Sequence, residues 1–379
     1  MRPNRKPLYQ QAAFCDENYI CERWNRRKTE ARKAGVPALF RVCSSNPQPM
    51  NIFKASLHIL MFVLLGPATA QQEPTFSSQS NLVLVPTMVR DEKGDIVYAL
   101  HAQDFIIEDD GIEQVVHLDE AAEAAPVSLV IAVQTGRRAR REFARMHGLA
   151  AMLDPVLSDK NNQAALLFFD SKLNLVRDFT NNGDIIEEDL KNLQAGDGGA
   201  AILDAVAYSV KLLARRPENQ QRVLLLISET RDHGSHFAKL DDVITLVGVT
   251  NTAVYTLPFS PSLSQVLDTE RGSNRDEVYW NVQPNVVAPI LMARQAMKKN
   301  IPKAIAAMTG GEYELFSSRK GFETRMNSFS NHLHNRYLLS FEPKNPHPGL
   351  HQIRVRLKDP ARAETLIFRR NYWAGGSNQ

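Results

Sequence analysis

The sequence predicts an α/β protein in which a doubly wound, Rossmann-like layer of strands and helices is flanked by β segments on both sides. Two continuous apolar runs, Val127–Val133 and Val223–Ile227, have the composition of strands buried on both faces of a parallel sheet. Segments with helical periodicity alternate with such runs between residues 125 and 334. Short patterns of strands and turns occupy residues 81–118 and 337–372.

The composition is that of a globular chain of about two domains. The 379 residues include 45 Lys and Arg against 42 Asp and Glu, and 43% are apolar. These values exclude a wholly disordered or collagen-like chain. The three cysteines, Cys15, Cys21 and Cys43, lie within the first 49 residues, so a disulfide-rich scaffold is excluded.

An apolar run near residue 60 has the layout of a secretory signal. Lys54 precedes the run Ile59–Leu65, and Ala68-Thr69-Ala70 supplies a small-residue cleavage site. The run is shorter than the roughly 20 residues that span a bilayer. We therefore predict a signal peptide at residues 50–70, after a basic extension at residues 1–49 that is either not native or disordered. The alternative is that this arm is genuine and the apolar run is a membrane anchor.

Cleavage after residue 70 leaves a mature chain that is weakly acidic. It carries 34 basic and 38 acidic residues and no cysteine. Thiol catalysis is thereby excluded, and so is the basic patch that nucleic-acid binding requires. We expect an exported protein, periplasmic or extracellular, with no membrane span in its mature form.

The first flank, residues 71–124, is predicted as a small antiparallel β unit. Strands are expected at residues 81–89 and 96–98, separated by a polar turn at Gly94. A hairpin is expected where Phe105–Glu108 meets Gln114–Leu118 through the turn Asp109-Asp110-Gly111.

The α/β layer, residues 125–334, alternates strands and helices. Besides the two apolar runs, the predicted strands are Ala164–Phe169, Leu173–Phe179, Thr252–Leu257 and Tyr313–Phe316. The predicted helices are Arg138–Leu157, Ile185–Leu193, Ala201–Ala214, Leu240–Val247, Val287–Met308 and Phe322–Leu333. Residues 259–284 are rich in Ser, Pro, Gly and Asn, which predicts a long surface loop.

The second flank, residues 335–373, returns to β patterning and is followed by a tail at residues 374–379. Strands are predicted at Tyr337–Phe341, Leu350–Leu357 and Thr365–Phe368. Neither flank alone is long enough for a stable core. Our hypothesis is that the two flanks pair into a β-sandwich into which the α/β domain is inserted.

Three loops at the predicted carboxyl edge of the parallel sheet carry the features of a binding site. They are Gln134–Arg138, the Gly-rich segment from Gly196 to Asp204, and Ser228–Asp232. Together with Pro126–Ile131, these loops resemble the von Willebrand factor A domain. The flanks, with Val89–Gly94, Asp104–Gly111, Tyr337–Phe341 and Gly349–Val355, resemble secreted bacterial proteins related to that domain, which are common in acidobacteria. The resemblance covers residues 80–373.

The resemblance implies a metal-ion-dependent adhesion site, but this chain departs from its pattern. Relatives offer Asp-x-Ser-x-Ser, a Thr and a second Asp, because Mg²⁺ takes about six oxygen ligands. Those positions fall here on Gln134, Gly136, Arg138, Ala200 and Glu229. We therefore expect no metal and no cofactor at this site. The alternative is that the loops align with the family pattern one residue out of register, so that Thr135 or Thr230 points inward.

A guanidinium is our candidate to replace the ion, with Arg138 or Arg137 reaching Glu229. The alternative is that both arginines belong to a solvated helix start. Asp204 is expected to bond loop amides, and Ser228 and Asp232 complete the candidate binding residues. We predict no catalytic residue, because Ser228 lacks a nucleophile elbow. His233 and His236 are interpreted as a solvated loop, and His332 and His334 as an exposed turn.

The sequence thus favours an exported, non-enzymatic protein-binding or scaffold protein whose partner is another protein. The first alternative is adhesion that depends on Mg²⁺ or Mn²⁺. The second is a hydrolase with its site in the 259–284 loop.

The signal-peptide hypothesis makes a direct prediction about the exported protein. Because the small-residue motif ends at Ala70, N-terminal sequencing of the exported form is expected to begin at Gln71. An exported chain that retains Ile59–Leu65 would instead support the membrane-anchor alternative.

Overall fold

The computed structural model describes residues 82–119, 125–146, 148–259, 288–363 and 365–375. The predicted basic extension and signal peptide, residues 260–284 of the predicted surface loop and residues 376–379 of the tail lie outside the described residues. Among the helices described, none combines the length and apolarity needed to cross a membrane.

The described strands and helices follow the chain in an α/β order bounded by β structure. The strands are β1 (Val83–Arg90), β2 (Phe105–Asp109), β3 (Ile112–Glu113), β4 (His117–Leu118), β5 (Val127–Gln134), β6 (Gln163–Phe169), β7 (Leu173–Thr180), β8 (Gln221–Ile227), β9 (Thr252–Thr256), β10 (Tyr337–Phe341), β11 (Gly349–Leu357), β12 (Thr365–Phe368) and β13 (Asn371–Ala374). The helices are α1 (Leu149–Met152), α2 (Asp154–Leu157), α3 (Gly183–Lys191), α4 (Ile202–Ala214), α5 (Leu240–Val249), α6 (Ala288–Lys299), α7 (Ile301–Thr309) and α8 (Arg319–His334).

The central sheet has the strand order β7-β6-β5-β8-β9. Strands β5, β6, β8 and β9 run parallel, and β7 returns antiparallel at one edge. Every residue of β5 is buried, as its continuous apolar run indicates for a strand covered on both faces. The carboxyl ends of β5, β6 and β8 therefore meet at one edge of the sheet.

Helices cover both faces of this sheet. Leu129 and Ile131 of β5 pack in one apolar cluster with residues of α1, α2 and α8. Val130 and Ala132 pack in a second cluster with residues of α4, α5, α6 and α7. The α/β class predicted from the sequence is confirmed.

Two of the predicted helices are interrupted, and local residues explain the breaks. A single helix over Arg138–Leu157 is wrong, because two 3-10 turns precede α1 and Gly148 takes a φ of 80° before it. Pro155 then restarts the chain as α2. The helix predicted over Val287–Met308 divides at Asn300, whose side chain accepts the Lys303 amide at 3.0 Å and caps α7.

Strands from both flanks share two further antiparallel sheets. One has the order β12-β1-β10-β4 and the other β13-β11-β2-β3. Val85 of β1 lies opposite Leu339 of β10, and Ile107 of β2 lies opposite Val355 of β11. These four side chains belong to one buried apolar cluster between the two sheets. The domain boundaries given above remain expectations.

Some flank details differ from the prediction. The expected strand at residues 96–98 is reduced to one bridge between Arg90 and Ile96. The expected strand Gln114–Leu118 is wrong as a unit. Only His117–Leu118 (β4) form a strand, which pairs with β10, and the partner of β2 in the hairpin is β3. The hairpin turn itself forms, and Asp110 and Gly111 take the positive φ angles, 48° and 84°, that a type I′ turn requires.

Arg369 joins the flanking sheets to the α/β layer. It is 4% exposed, and burial lowers its pKa to about 10. Its guanidinium donates at 2.7 to 3.3 Å to the carbonyls of Leu84, Gly248, Thr250 and Asn371 and to the Asn251 side chain. Gly248 and Thr250 lie at the end of α5, where unpaired carbonyls favour a cation.

Glu312 forms a second junction between the two parts. Its buried carboxylate accepts hydrogen bonds from Arg90 of β1 at 2.5 Å and from Arg336 at 3.0 Å, and His332 Nδ1 lies at 3.1 Å. Burial alone raises the pKa of Glu312, but the His332 hydrogen bond and the arginine charges hold it below its ordinary value. The interpretation of His332 as part of an exposed turn is wrong, since its side chain is 12% exposed.

We predict that Arg369→Leu lowers the free energy of unfolding by about 3 kcal/mol, because it leaves several buried acceptors without a donor. Urea unfolding measures the change. Arg362→Leu is the control, because Arg362 is 40% exposed and its ion pair with Asp104 spans 3.4 Å at the surface. We expect a loss within about 0.5 kcal/mol for the control. Equal losses of unfolding free energy in the two variants would contradict the role of Arg369 in joining the flanking sheets to the α/β layer.

Candidate functional site

The candidate site lies at the carboxyl edge of the central sheet. Gln134 ends β5, Ser228 and Glu229 follow β8, and the Gly-rich segment 196–201 precedes α4. Parallel strands deliver these segments to one edge of the sheet. The structure therefore brings together three loops that the sequence separates.

Gln134 and Glu229 form a buried pair at the centre of the site. Both are at most 4% exposed. The Gln134 amide Nε2 donates to Glu229 Oε1 at 2.7 Å, and Gln134 Oε1 accepts the Glu229 backbone N–H at 2.8 Å. One amide side chain thus binds both the carboxylate and the main chain of Glu229, which fixes the spacing between β5 and β8.

Two further donors surround the Glu229 carboxylate. His233 Nε2 lies 2.7 Å from Oε1, and Arg138 Nη1 lies 3.5 Å from Oε2. The Arg138 side chain is 63% exposed, whereas that of Glu229 is 5% exposed. A buried carboxylate is therefore met by an amide, an imidazole and a guanidinium, of which the guanidinium faces solvent.

The interpretation of His233 as part of a solvated loop is wrong. Its side chain is 34% exposed and contacts Glu229, and its backbone exchanges two hydrogen bonds with Ala200, at 2.9 and 3.0 Å. His233 follows Glu229 by four residues, a spacing that predicts a side-chain contact only within a helix. His236, by contrast, is exposed.

Gly136 allows the Gly-rich segment to close over the site. A Cβ placed on Gly136 would lie 2.2 Å from the backbone oxygen of Gly199. The Arg137 amide donates to the Asp197 carbonyl at 2.5 Å next to this contact. Gly136 and Arg137 therefore position the loop through the backbone, and neither contributes a side-chain ligand to the centre of the site.

The Gly-rich segment is also tied to the loop after β6. The Asp197 amide donates to Asp170 Oδ2 at 3.0 Å, and Ser171 donates through its hydroxyl and its amide to the Asp197 carboxylate. Hydrogen bonds from Ser171 and from the Gly199 amide lower the pKa of Asp197. Asp170 and Asp197 are not identifiable as site residues from the sequence, since aspartates in a polar stretch have no distinctive pattern.

Asp204 and Asp232 brace the loop that follows Glu229. The buried Asp204 carboxylate accepts the amides of His236, Phe237 and Ala238 at 2.6 to 3.1 Å. Asp232 accepts the Leu203 amide at 3.1 Å, in the first turn of α4, and the Ser235 hydroxyl at 2.5 Å. Both carboxylates are occupied by structural donors, which suits bracing rather than proton transfer.

Ser228 lies beneath the site. It is fully buried, and its hydroxyl donates to the Glu229 carbonyl at 2.8 Å. Ala200 is buried as well and contributes its backbone to the contact with His233. Of the candidate residues, Gln134, Arg138 and Glu229 therefore meet as side chains, and the others build the surrounding loops.

Residues 130–234 match the family model described as von Willebrand factor type A domain, and this stretch contains every candidate residue. The segment is a von Willebrand factor type A domain, as the sequence resemblance implies. No curated protein matches the chain.

Solved structures resemble parts of the chain at low sequence identity. The vWF domain of the type V pili tip protein Mfa5 from Porphyromonas gingivalis is 16% identical, with a TM-score of 0.25, and the match covers 28% of this chain and 38% of that one. This chain thus spans well under two thirds of that protein. The conserved hypothetical protein BatB from Bacteroides thetaiotaomicron is 12% identical, with a TM-score of 0.37 and coverages of 55% and 97%. The PilB minor pilin from Streptococcus sanguinis is 10% identical, with a TM-score of 0.37 and coverages of 56% and 62%.

We predict that Gly136→Ala destabilises the protein by about 2 to 4 kcal/mol, because the added methyl group meets a backbone oxygen that cannot rotate away. Gly198→Ala is the matched control, because a Cβ there has nothing within 4 Å and Gly198 has no positive φ. We expect the control to be neutral within about 0.5 kcal/mol. Urea unfolding of both variants measures the difference, and a tolerated Gly136→Ala would contradict the close approach of the two loops.

Proposed function

We propose that this protein is an exported, non-enzymatic binding or scaffold protein that recognises another protein through the loops at residues 134–138, 196–201 and 228–236. The observation that carries the proposal is the enclosure of Glu229 by Gln134, His233 and Arg138. The centre of this site is filled by protein donors, and its outer face presents arginine.

The residues present do not fit the divalent ion that relatives bind. Gly136 and Ala200 offer no side-chain oxygen, and the Gln134 oxygen already accepts the Glu229 amide. Arg138 adds a permanent positive charge beside the Glu229 carboxylate. Two like unit charges about 4 Å apart repel by about 4 kcal/mol at an effective dielectric constant of 20. The adhesion site is therefore a degenerate one, and recognition does not depend on Mg²⁺ or Mn²⁺.

Exposed arginines give the loop surface its chemical character. Arg137, Arg138, Arg140, Arg141 and Arg231 are all exposed at or next to the loops of the site. A guanidinium binds a carboxylate with two parallel hydrogen bonds. This surface therefore suits an acidic segment of a partner protein, with the guanidinium in the position that a metal ion occupies in relatives.

The environment of Ser228 supports a non-enzymatic role. Its buried hydroxyl donates to the Glu229 carbonyl, and among the residues that the structure describes no base accepts it, so it lacks the arrangement that activates a serine nucleophile. The hydrolase alternative depends on residues 259–284, which lie outside the described residues after Phe259.

The proposal predicts partner binding that is independent of divalent metal and sensitive to arginine. In co-purification from the host envelope, we expect equal partner recovery in Mg²⁺ and in EDTA. Arg138→Ala is expected to reduce affinity about tenfold, which corresponds to about 1.4 kcal/mol. Calorimetry with Mg²⁺ and Mn²⁺ is expected to show no saturable binding at the site.

Arg319→Ala is the matched control, because Arg319 is also 63% exposed and also contacts a glutamate, but on α8. We expect it to bind like the wild type. Recovery that requires Mg²⁺ and survives Arg138→Ala would favour metal-dependent adhesion instead.

A further inference from the structure

A second polar cluster lies in the flanking sheets, outside the von Willebrand factor segment. Asp109 ends β2, Asp110 begins the turn after it, His347 precedes β11 and His351 lies within β11. One donor atom from each of Asp110, His347 and His351 lies within 4.8 Å of the other two. Asp109 and His351 are at most 4% exposed.

Both carboxylates are held in a fixed orientation. Asp110 Oδ1 accepts the Gln352 amide at 3.0 Å, which turns Oδ2 toward His351 Nδ1 at 2.8 Å. Asp109 Oδ2 accepts the Tyr372 hydroxyl at 2.8 Å, which turns Oδ1 toward the same nitrogen at 3.1 Å. One oxygen of each carboxylate is thus anchored, and the other points at His351.

The His351 ring is oriented in the same manner. Its Nε2 lies 2.7 Å from the backbone carbonyl of His347, and because a carbonyl only accepts, Nε2 carries the hydrogen. This arrangement is typical of metal-binding histidines, whose second nitrogen donates to a carbonyl or carboxylate. It leaves Nδ1 facing two carboxylate oxygens, so a positive charge must lie between them, either a proton or a metal ion.

We propose that Asp110, His347 and His351 form a binding site for a divalent transition metal of the zinc class, with the Asp109 carboxylate beside His351 as a further oxygen donor. Imidazole nitrogens with carboxylate oxygens suit Zn²⁺ and Co²⁺ rather than Mg²⁺ or Ca²⁺. Tetrahedral zinc with ligands at about 2.0–2.1 Å separates neighbouring donor atoms by about 3.3 Å. The separations of 2.8 and 3.1 Å around His351 and Asp110 are about 0.2 to 0.5 Å shorter than that value, so a bound ion would push the donors slightly apart.

The His347 ring must rotate before it can bind the same ion as His351. Its Nε2 lies 3.1 Å from Asp110 Oδ2, but its ring stacks on that of His351 with centroids 3.9 Å apart and planes 19° apart. A metal ion in the plane of one ring lies outside the plane of the other. The His347 side chain is 31% exposed, so it has solvent on one side into which the ring can rotate.

A metal ion here would act as a structural clamp. It would join the turn after β2 to β11, and through Asp109 and Tyr372 it would reach β13. These strands come from opposite ends of the described chain. The site is independent of the proposed protein-binding loops, and either assignment can fail without the other.

The test is calorimetric titration of the full chain with Zn²⁺ at pH 8, after alkylation of Cys15, Cys21 and Cys43 to exclude thiol ligands. We expect one saturable site per chain, a tetrahedral Co²⁺ absorption spectrum and a rise in Tm with Zn²⁺. Mg²⁺ and Ca²⁺ are expected to show neither saturable binding nor a rise in Tm. His236→Ala, which removes an exposed histidine elsewhere, is expected to leave Zn²⁺ affinity unchanged.

Two mild variants keep the fold while testing the ligands. Tyr372→Phe removes the hydroxyl that orients Asp109 and is expected to weaken Zn²⁺ binding about tenfold. His347→Ala removes a partly exposed ligand and is expected to weaken binding more than Tyr372→Phe does. Absence of saturable Zn²⁺ binding in the wild type, or equal affinity in wild type and His347→Ala, would overturn the proposal and leave a protonated His351 between its two aspartates.

Discussion

The burial of Glu229 is the constraint on which the candidate site depends. A carboxylate that is 4% exposed at the end of a central strand requires compensation, because an isolated buried charge costs several kcal/mol. Relatives with a metal-ion-dependent adhesion site can supply that compensation from solution, as a divalent cation. Here side chains of the protein supply it through hydrogen bonds and an ion pair, from the Gln134 amide, the His233 imidazole and the Arg138 guanidinium. Gln134, which stands where relatives have Asp, is central because its amide group hydrogen-bonds both the side chain and the backbone of Glu229. The site is therefore preassembled from protein side chains, and its exposed outer group is the Arg138 guanidinium.

The same requirement for compensation recurs where the flanking sheets meet the α/β layer. Arg369 is a buried cation whose described partners are all neutral oxygens, and Glu312 is a buried anion with three basic neighbours. Polar junctions of this kind fix a geometry more strictly than apolar contact does, since a shifted partner leaves a buried group unsatisfied. The position of the flanking sheets on the layer is accordingly specified by hydrogen bonds as well as by packing.

The class of fold was predictable from the sequence because strands buried on both faces leave an unmistakable apolar signature, as β5 and β8 do. The single helix predicted across Arg138–Leu157 is wrong because Gly148 and Pro155 interrupt it. The periodicity of apolar residues does not register such local backbone effects. Gln134 and Glu229 were identifiable, since each directly follows or ends such a strand. His233 was not, because its approach to Glu229 depends on a loop bend in which its backbone pairs with that of Ala200. The Asp110 and His351 cluster was equally hidden, since its members are separated by the whole α/β layer in sequence and become neighbours only when β2 pairs with β11.

Pairing between flanking strands from opposite ends of the chain has a consequence for folding during biosynthesis. β1 sits between β10 and β12, both of which leave the ribosome only after the whole α/β layer has been made. Strands of the layer pair with one another over shorter sequence separations than the flanking strands do, and contacts of very long sequence separation form slowly. Until the last strands arrive, β1 exposes two unpaired edges of the kind that template association between chains. A nascent or C-terminally truncated polypeptide is therefore the species most vulnerable to aggregation, even though the loops of the candidate site have already been synthesised.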